Sequence, residues 1–173
     1  MPGDGRALAR RIRRVILDHA KRANVGHIGP ALSVADLIAI LLDGRMKGVG
    51  TGLPDRDRFV LSKGHAGLAL YAALFCRGLL SREELETYCQ DGSLLGTHPE
   101  HALHGIDFST GSLGHGLSFG GEAALAARMG GSSRRVYVLV SDAECNEGSL
   151  WEAIMFAAYH RLAALTVLID KNG

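Results

Sequence analysis

One aspartate and one asparagine, each set just past an apolar run, confine this chain to few architectures. Arg135-Val-Tyr-Val-Leu-Val140 reads as a buried strand, and Asp142 follows it by two residues. Leu165-Thr-Val-Leu-Ile169 reads as a second strand, and Asn172 follows it by three. Between them, Glu147 to His160 has the length and apolar spacing of a helix. Two strands joined by such a crossover form a βαβ unit, in which the strands run parallel. Their carboxyl ends then share one edge of the sheet, so Asp142 and Asn172 emerge together where open α/β sheets bind ligands. A carboxylate and an amide oxygen are hard donors that suit Mg²⁺ or Ca²⁺, and Mg²⁺ commonly completes its shell with phosphate oxygens and water. The pair predicts a divalent cation holding a phosphorylated ligand. The competing reading is two turn residues, a common use of Asp and Asn after strands.

The rest of the chain fits an α/β protein with a parallel sheet and helices on both faces. Its 173 residues, 47% of them hydrophobic, are enough for one domain over 1–173 with a sizeable core. Leu8, Ile12, Val15, Ile16 and His19 recur at helical spacing near the start. Around them Arg6, Arg10, Arg11, Arg13, Arg14, Lys21 and Arg22 form a basic outer face, expected to be solvated. Asp43 to Asp57 reads as a loop rich in glycine, followed by a short strand at Phe59-Val60-Leu61 and an apolar helix from Ala66 to about Cys76. Ser81-Arg-Glu-Glu84 is a capping box that opens another helix. Leu113 to Met129 is a glycine-rich segment running into a helix.

Net charge is +1, so no global field argues for nucleic acid. Cys76, Cys89 and Cys145 are odd in number and lack Cys-x-x-Cys spacing, which indicates neither a disulfide framework nor a zinc knuckle. No charged-then-apolar leader precedes the first helix and no apolar run reaches membrane-spanning length, so the expectation is a cytoplasmic protein without a membrane. His98, His101 and His104 are spaced by three, but Pro99 and Gly105 argue against a continuous helix and a zinc site there.

Ser141-Asp-Ala-Glu-Cys-Asn-Glu-Gly148 followed by Lys171-Asn-Gly173 resembles the thiamine diphosphate signature, Gly-Asp-Gly and then Asn roughly thirty residues on. Here Ser141 and Ala143 replace both glycines. Gly26-His-Ile-Gly29, Leu61-Ser-Lys-Gly-His-Ala66, Thr97-His-Pro-Glu100 and Ser109-Thr-Gly-Ser-Leu-Gly114 resemble transketolases, in order and with sensible spacing. The resemblance runs from about Arg6 to Gly173 and is strongest to the N-terminal subunit of two-component bacterial transketolases. It implies a thiamine diphosphate-binding fold that is incomplete at its C-terminus. It also implies thiamine diphosphate with Mg²⁺ or Ca²⁺ as cofactors, and transfer of a two-carbon ketol unit from a ketose phosphate to an aldose.

Residue by residue, the resemblance makes Asp142 and Asn172 the metal ligands, with a backbone carbonyl at position 174 beyond this sequence. It places His65, Gly111, Ser112, Leu113, Gly114, Ala143 and Glu147 at the cofactor, and His27 and His98 at the donor sugar as proton-transfer groups. Glycine allows a backbone to approach a diphosphate closely, and Gly111, Gly114 and Gly116 precede a helix whose N-terminus favours anions. Close helix–sheet packing is the alternative use for those glycines. Glu147 is implied in a network linking two cofactors; a carboxylate at a helix start is the structural alternative. His115 stands where the family often has Gln, and His104 where Pro is usual.

The family's activating glutamate and pyrimidine-holding aromatics come from another domain. The resemblance therefore implies a partner, a C-terminal transketolase subunit, and a dimer of such pairs. Two further readings stay open: a non-catalytic binding or assembly subunit of this fold, and another thiamine diphosphate enzyme such as deoxyxylulose phosphate synthase or dihydroxyacetone synthase.

Overall fold

The computed structural model describes residues 4–172. Three parallel strands, β1 (Arg58–Leu61), β2 (Val136–Ser141) and β3 (Leu165–Asp170), lie in the order β1-β2-β3. Arg58 pairs with Val136 and Val136 with Leu165, so the three run in register to the same carboxyl edge. Strand alternation divides the core. Phe59, Leu61, Tyr137 and Leu139 pack against α1 (Gly5–Ala23), α2 (Ile28–Ser33), α3 (Ala35–Ile40) and α4 (Gly67–Cys76). Helix α5 (Arg82–Glu86) lies beside α4. Val60, Val136, Val138 and Val140 pack against α6 (Gly116–Met129) and α7 (Gly148–Tyr159). Helices therefore cover both faces, as the near-continuous apolar runs require. Because β2 is central, all six of its residues are buried.

Local sequence explains most of the elements. Asp4 caps α1 through its side chain, and Asn24 ends it in a left-handed conformation. Leu8, Ile12, Ile16 and Ala20 form its buried stripe. Ser81 and Glu84 make both bonds of the capping box that opens α5. Helix α4 is buried over most of its circumference, beneath α1 and beside α3 and α5.

The basic face of α1 is exposed as expected at Arg6, Arg10, Arg11, Arg14, Lys21 and Arg22. From it Arg13 also pairs with Asp36, Arg11 donates to Cys76 C=O, and Arg22 donates to Leu85 and Glu86 C=O. These bonds lash α1 to α3, α4 and α5. Two expectations need correction. The loop expected from Asp43 opens inside a wide π-helical turn, Leu41–Arg45, that continues α3. The helix expected from Glu147 starts at Gly148, with Glu147 in extended conformation at its N-cap, preceded by a short 3₁₀ turn at Ala143–Asn146.

The β3 side is open. Val167 and Ile169 are exposed on β3, and Trp151, Met155 and Tyr159 on α7 are 54%, 64% and 83% exposed. Among the described residues no helix is long and apolar enough to cross a membrane.

Candidate cofactor and metal site

The carboxyl ends of the three strands deliver the chemistry to one edge. β1 runs into Ser62-Lys63-Gly64-His65, β2 into Asp142, and β3 through Asp170 to Asn172. The β2–β3 ladder extends one step past Ser141, since Asp142 N–H donates to Asp170 C=O at 3.1 Å. Asp142 and the Asp170–Asn172 segment are thus neighbours, as the strand pattern requires. The Asp142 side chain is half-buried and accepts the Ala143 N–H at 3.0 Å through Oδ1. Asn172 donates its Nδ2 to Asp170 Oδ2 at 3.2 Å, which uses the donor end of the amide and leaves its oxygen to accept or ligate. One carboxylate and one amide oxygen are donors of the class that hard cations take. Among the described residues no set of three His, Cys, Asp or Glu side chains gathers around one point. A Mg²⁺ ion held here would draw the rest of its shell from backbone, water or the ligand, as Mg²⁺ usually does.

Asp170 is a buried acid of this edge that sequence reading missed. It is 6% exposed at the end of β3 and forms a buried ion pair with Lys63, itself 1% exposed. Its Oδ1 accepts from Ser33 Oγ at 2.6 Å, so one carboxylate joins α2, β1 and β3. Burial works against its charged form. Hydrogen bonds from Lys63 and Ser33, with the Lys63 charge and Asn172, outweigh that and hold the carboxyl below the ordinary aspartate range. The signal was present in Ser62-Lys63-Gly64, but nothing in one sequence says which acid a buried lysine will meet.

Three expected histidines border this edge. His65, half-buried in a 3₁₀ turn, has its imidazolium form disfavoured by burial first, then by the Lys63 and His27 charges. His27 caps α2 with φ of 62°, and its ring centroid is 5.4 Å from that of His65. A non-glycine residue at positive φ is uncommon and marks a place where surroundings override local preference. His98 is exposed on the loop before Pro99, anchored by Tyr71 Oη, which donates to its carbonyl at 2.8 Å. Its ring lies against Gly111, where an added Cβ would stand 3.2 Å from His98 Cδ2. Ser109 Oγ donates to Glu100 Oε1 at 2.6 Å, tying the His98 loop to the Thr110-Gly111 loop. His101 Nδ1 contacts the same Glu100 and Ser109 groups.

The glycine-rich segment flanks a cleft of about 280 Å³ lined by Gly111, Ser112, His115 and Phe119 among others. Ser112 and Leu113 are exposed there, while Gly114 is buried. The Gly114 N–H, expected to meet a phosphate, donates instead to Glu144 Oε1 at 2.9 Å. Its φ of +83° and its approach to Glu147, 2.7 Å from an added Cβ, still require glycine. At Gly116 an added Cβ would stand 2.7 Å from Ser62 Cα, so close packing of α6 on β1 is the use made of that glycine. Ala143 sits in a 3₁₀ turn and is not among the residues at positive φ, so alanine fits where the signature has glycine.

The sequence matches the family described as "Transketolase, thiamine diphosphate binding domain" over residues 5–173. The chain belongs to the transketolase family. One relative is the 6-deoxy-6-sulfo-D-fructose transketolase subunit SqwG of Clostridium sp. (strain MSTE9), 42% identical over 93% of this chain and 60% of that protein. Another is an apulose-4-phosphate transketolase subunit from Phocaeicola vulgatus, 40% identical over 92% of this chain and 58% of that protein. Among solved structures, the transketolase of Campylobacter jejuni superposes with a TM-score of 0.89 at 32% identity, covering 95% of this chain and 28% of that one. This transketolase-family chain spans about 60% of the length of the subunit-type relatives it matches. The match to transketolase structures bears out the parallel α/β fold expected from the strand pattern.

Proposed function

We propose that this chain is the diphosphate-binding component of a transketolase-type enzyme that moves a two-carbon ketol unit from a ketose phosphate to an aldose. The observation that carries the reading is the placement of Asp142 and Asn172 at the carboxyl ends of adjacent parallel strands, beside His65 at the end of a third. Asp142 and the Asn172 amide oxygen would hold Mg²⁺ or Ca²⁺. His65, Ser112, Leu113 and the backbone around Gly111 and Ala143 would border the diphosphate. When bound, thiamine diphosphate supplies the electron sink for breaking a carbon–carbon bond beside a carbonyl. His27 and His98, exposed at the rim, would bond substrate hydroxyls and move protons near neutral pH. The lowered proton affinity of His65 favours its neutral form there, which can donate to an anion from one nitrogen and keep the other free.

The partner in this reading is a chain carrying the pyrimidine-binding domain, assembled as a dimer of such pairs. The subunit names of the two relatives support it, as does the uncovered apolar side formed by α7 and β3. Glu147, exposed at the N-cap of α7, stands next to that side and would serve the link between cofactors. A cytoplasmic location goes with phosphorylated sugar substrates, which do not cross membranes unaided. The test is a ketol-transfer assay on the chain co-expressed with a pyrimidine-domain partner. Activity that needs both chains, thiamine diphosphate and a divalent cation, and that chelator abolishes, supports the reading. An assembled pair that binds thiamine diphosphate yet transfers nothing would favour the non-catalytic reading.

A further inference from the structure

Glu144 is a charged side chain with no exposed surface, one residue beyond the signature alanine. We infer that Glu144 is a positioning residue of this site, whose carboxylate clasps the three loops that carry His65, the 111–114 segment and Asp142. The inference rests on the cofactor reading above and adds a group that, being fully buried, cannot itself touch a ligand. Oε1 accepts from Ser62 Oγ and from Gly114 N–H. Oε2 accepts from Ser141 N–H at 2.8 Å and from Ser141 Oγ at 3.3 Å. Ser62 opens the turn from β1 to His65, Gly114 closes the segment that begins at Gly111, and Ser141 directly precedes Asp142.

A carboxylate is strongly disfavoured away from water unless donors surround it, so these loops and this acid hold one another in place. Groups that fix ligating residues from behind are commonly worth a large factor in affinity although they touch nothing bound. Two of the donors are backbone N–H groups, which cannot become acceptors. Gln at 144 keeps the volume but must turn its NH₂ toward either Gly114 N–H or Ser141 N–H. One arm of the clasp then opens while the other holds. Removing the Ser62 hydroxyl takes away one donor and leaves both backbone arms.

The experiment uses the complete protein with its partner chain, as wild type, Glu144→Gln and Ser62→Ala. Thiamine diphosphate is titrated in the presence of Mg²⁺, and amide hydrogen exchange is followed at Gly114 and Ser141. Glu144→Gln is expected to stay folded, to bind about tenfold more weakly, and to lose protection at one of the two amides. Ser62→Ala, which removes one hydrogen bond of the clasp, is expected to lose about threefold in affinity. Lower thermal stability with unchanged affinity would mean a purely structural acid and overturn the inference. If Glu144→Gln does not fold, Ser62→Ala decides: weaker binding supports the clasp, while wild-type affinity and protection refute it. If wild type takes up no thiamine diphosphate, the cofactor reading fails. The clasp is then judged by exchange alone, standing if Glu144→Gln loosens either amide and falling if it loosens neither.

Discussion

The two histidines proposed for cofactor and substrate, His65 and His98, sit in different surroundings, so their proposed duties are separable. His65 lies half-buried beside Lys63 and His27, whereas His98 is exposed on its own loop against Gly111. His65→Ala should therefore weaken thiamine diphosphate binding, and His98→Ala should lower turnover with cofactor affinity nearly unchanged. Titration and steady-state kinetics on both variants separate these effects, and the reverse pattern would exchange the two roles. The Lys63–Asp170 pair makes a stability prediction. Removing one member of a buried pair leaves an uncompensated charge and typically costs about 3–5 kcal/mol, so Lys63→Met should be strongly destabilised in denaturant unfolding. The sign with pH follows from the depressed Asp170 proton affinity. Its stabilisation is fully present above the unfolded aspartate value of about 3.9 and is lost as pH falls through the lower folded value. Wild type should show that acid-side loss, and Lys63→Met should not. At this scale the sequence showed where Asp142 and Asn172 would stand, at the ends of adjacent parallel strands. It was unreadable for Glu144 and Asp170, because the need for a buried acid arises from donors far apart in the chain.

Elements with strong local signals could be read in advance. The capping box at Ser81 formed both of its bonds, and β2, α6 and α7 appeared close to their expected places. Ser81→Ala should cost about 1 kcal/mol, the usual value of such a cap, without altering cofactor binding. A change in affinity alongside it would show that α5 is coupled to the site. Helices α2 and α3 were not legible. Each has six residues, α2 contains Gly29 and Pro30, and both owe their form to packing beneath α1 and not to propensity. The glycines before α6 were legible as necessary but not in purpose, since close approach to Ser62 and close approach to a phosphate demand the same residue. The arginines of α1 were legible as an exposed face but not in their bonds, because a basic stripe shows no partners until α3, α4 and α5 are in place.

At the scale of the molecule, the open side formed by α7 and β3 matters most. Trp151, Met155 and Tyr159 on the helix and Ile169 on the edge strand stay exposed, and large apolar side chains left open on a helix and an edge strand mark an interface or an aggregation hazard. Residues 1–173 expressed alone should oligomerise or aggregate in size-exclusion chromatography, and co-expression with the proposed partner should restore solubility. A well-behaved monomer would argue that this side needs no cover. On the proposed function, the sheet's carboxyl edge holds a metal–diphosphate group through Asp142. The most direct measurement is calorimetric titration of thiamine diphosphate into the assembled protein, wild type and Asp142→Ala, each with and without Mg²⁺. Tight binding is expected only for wild type with Mg²⁺, with loss of most metal-dependent affinity in the variant. Equal affinities in all four conditions would contradict it.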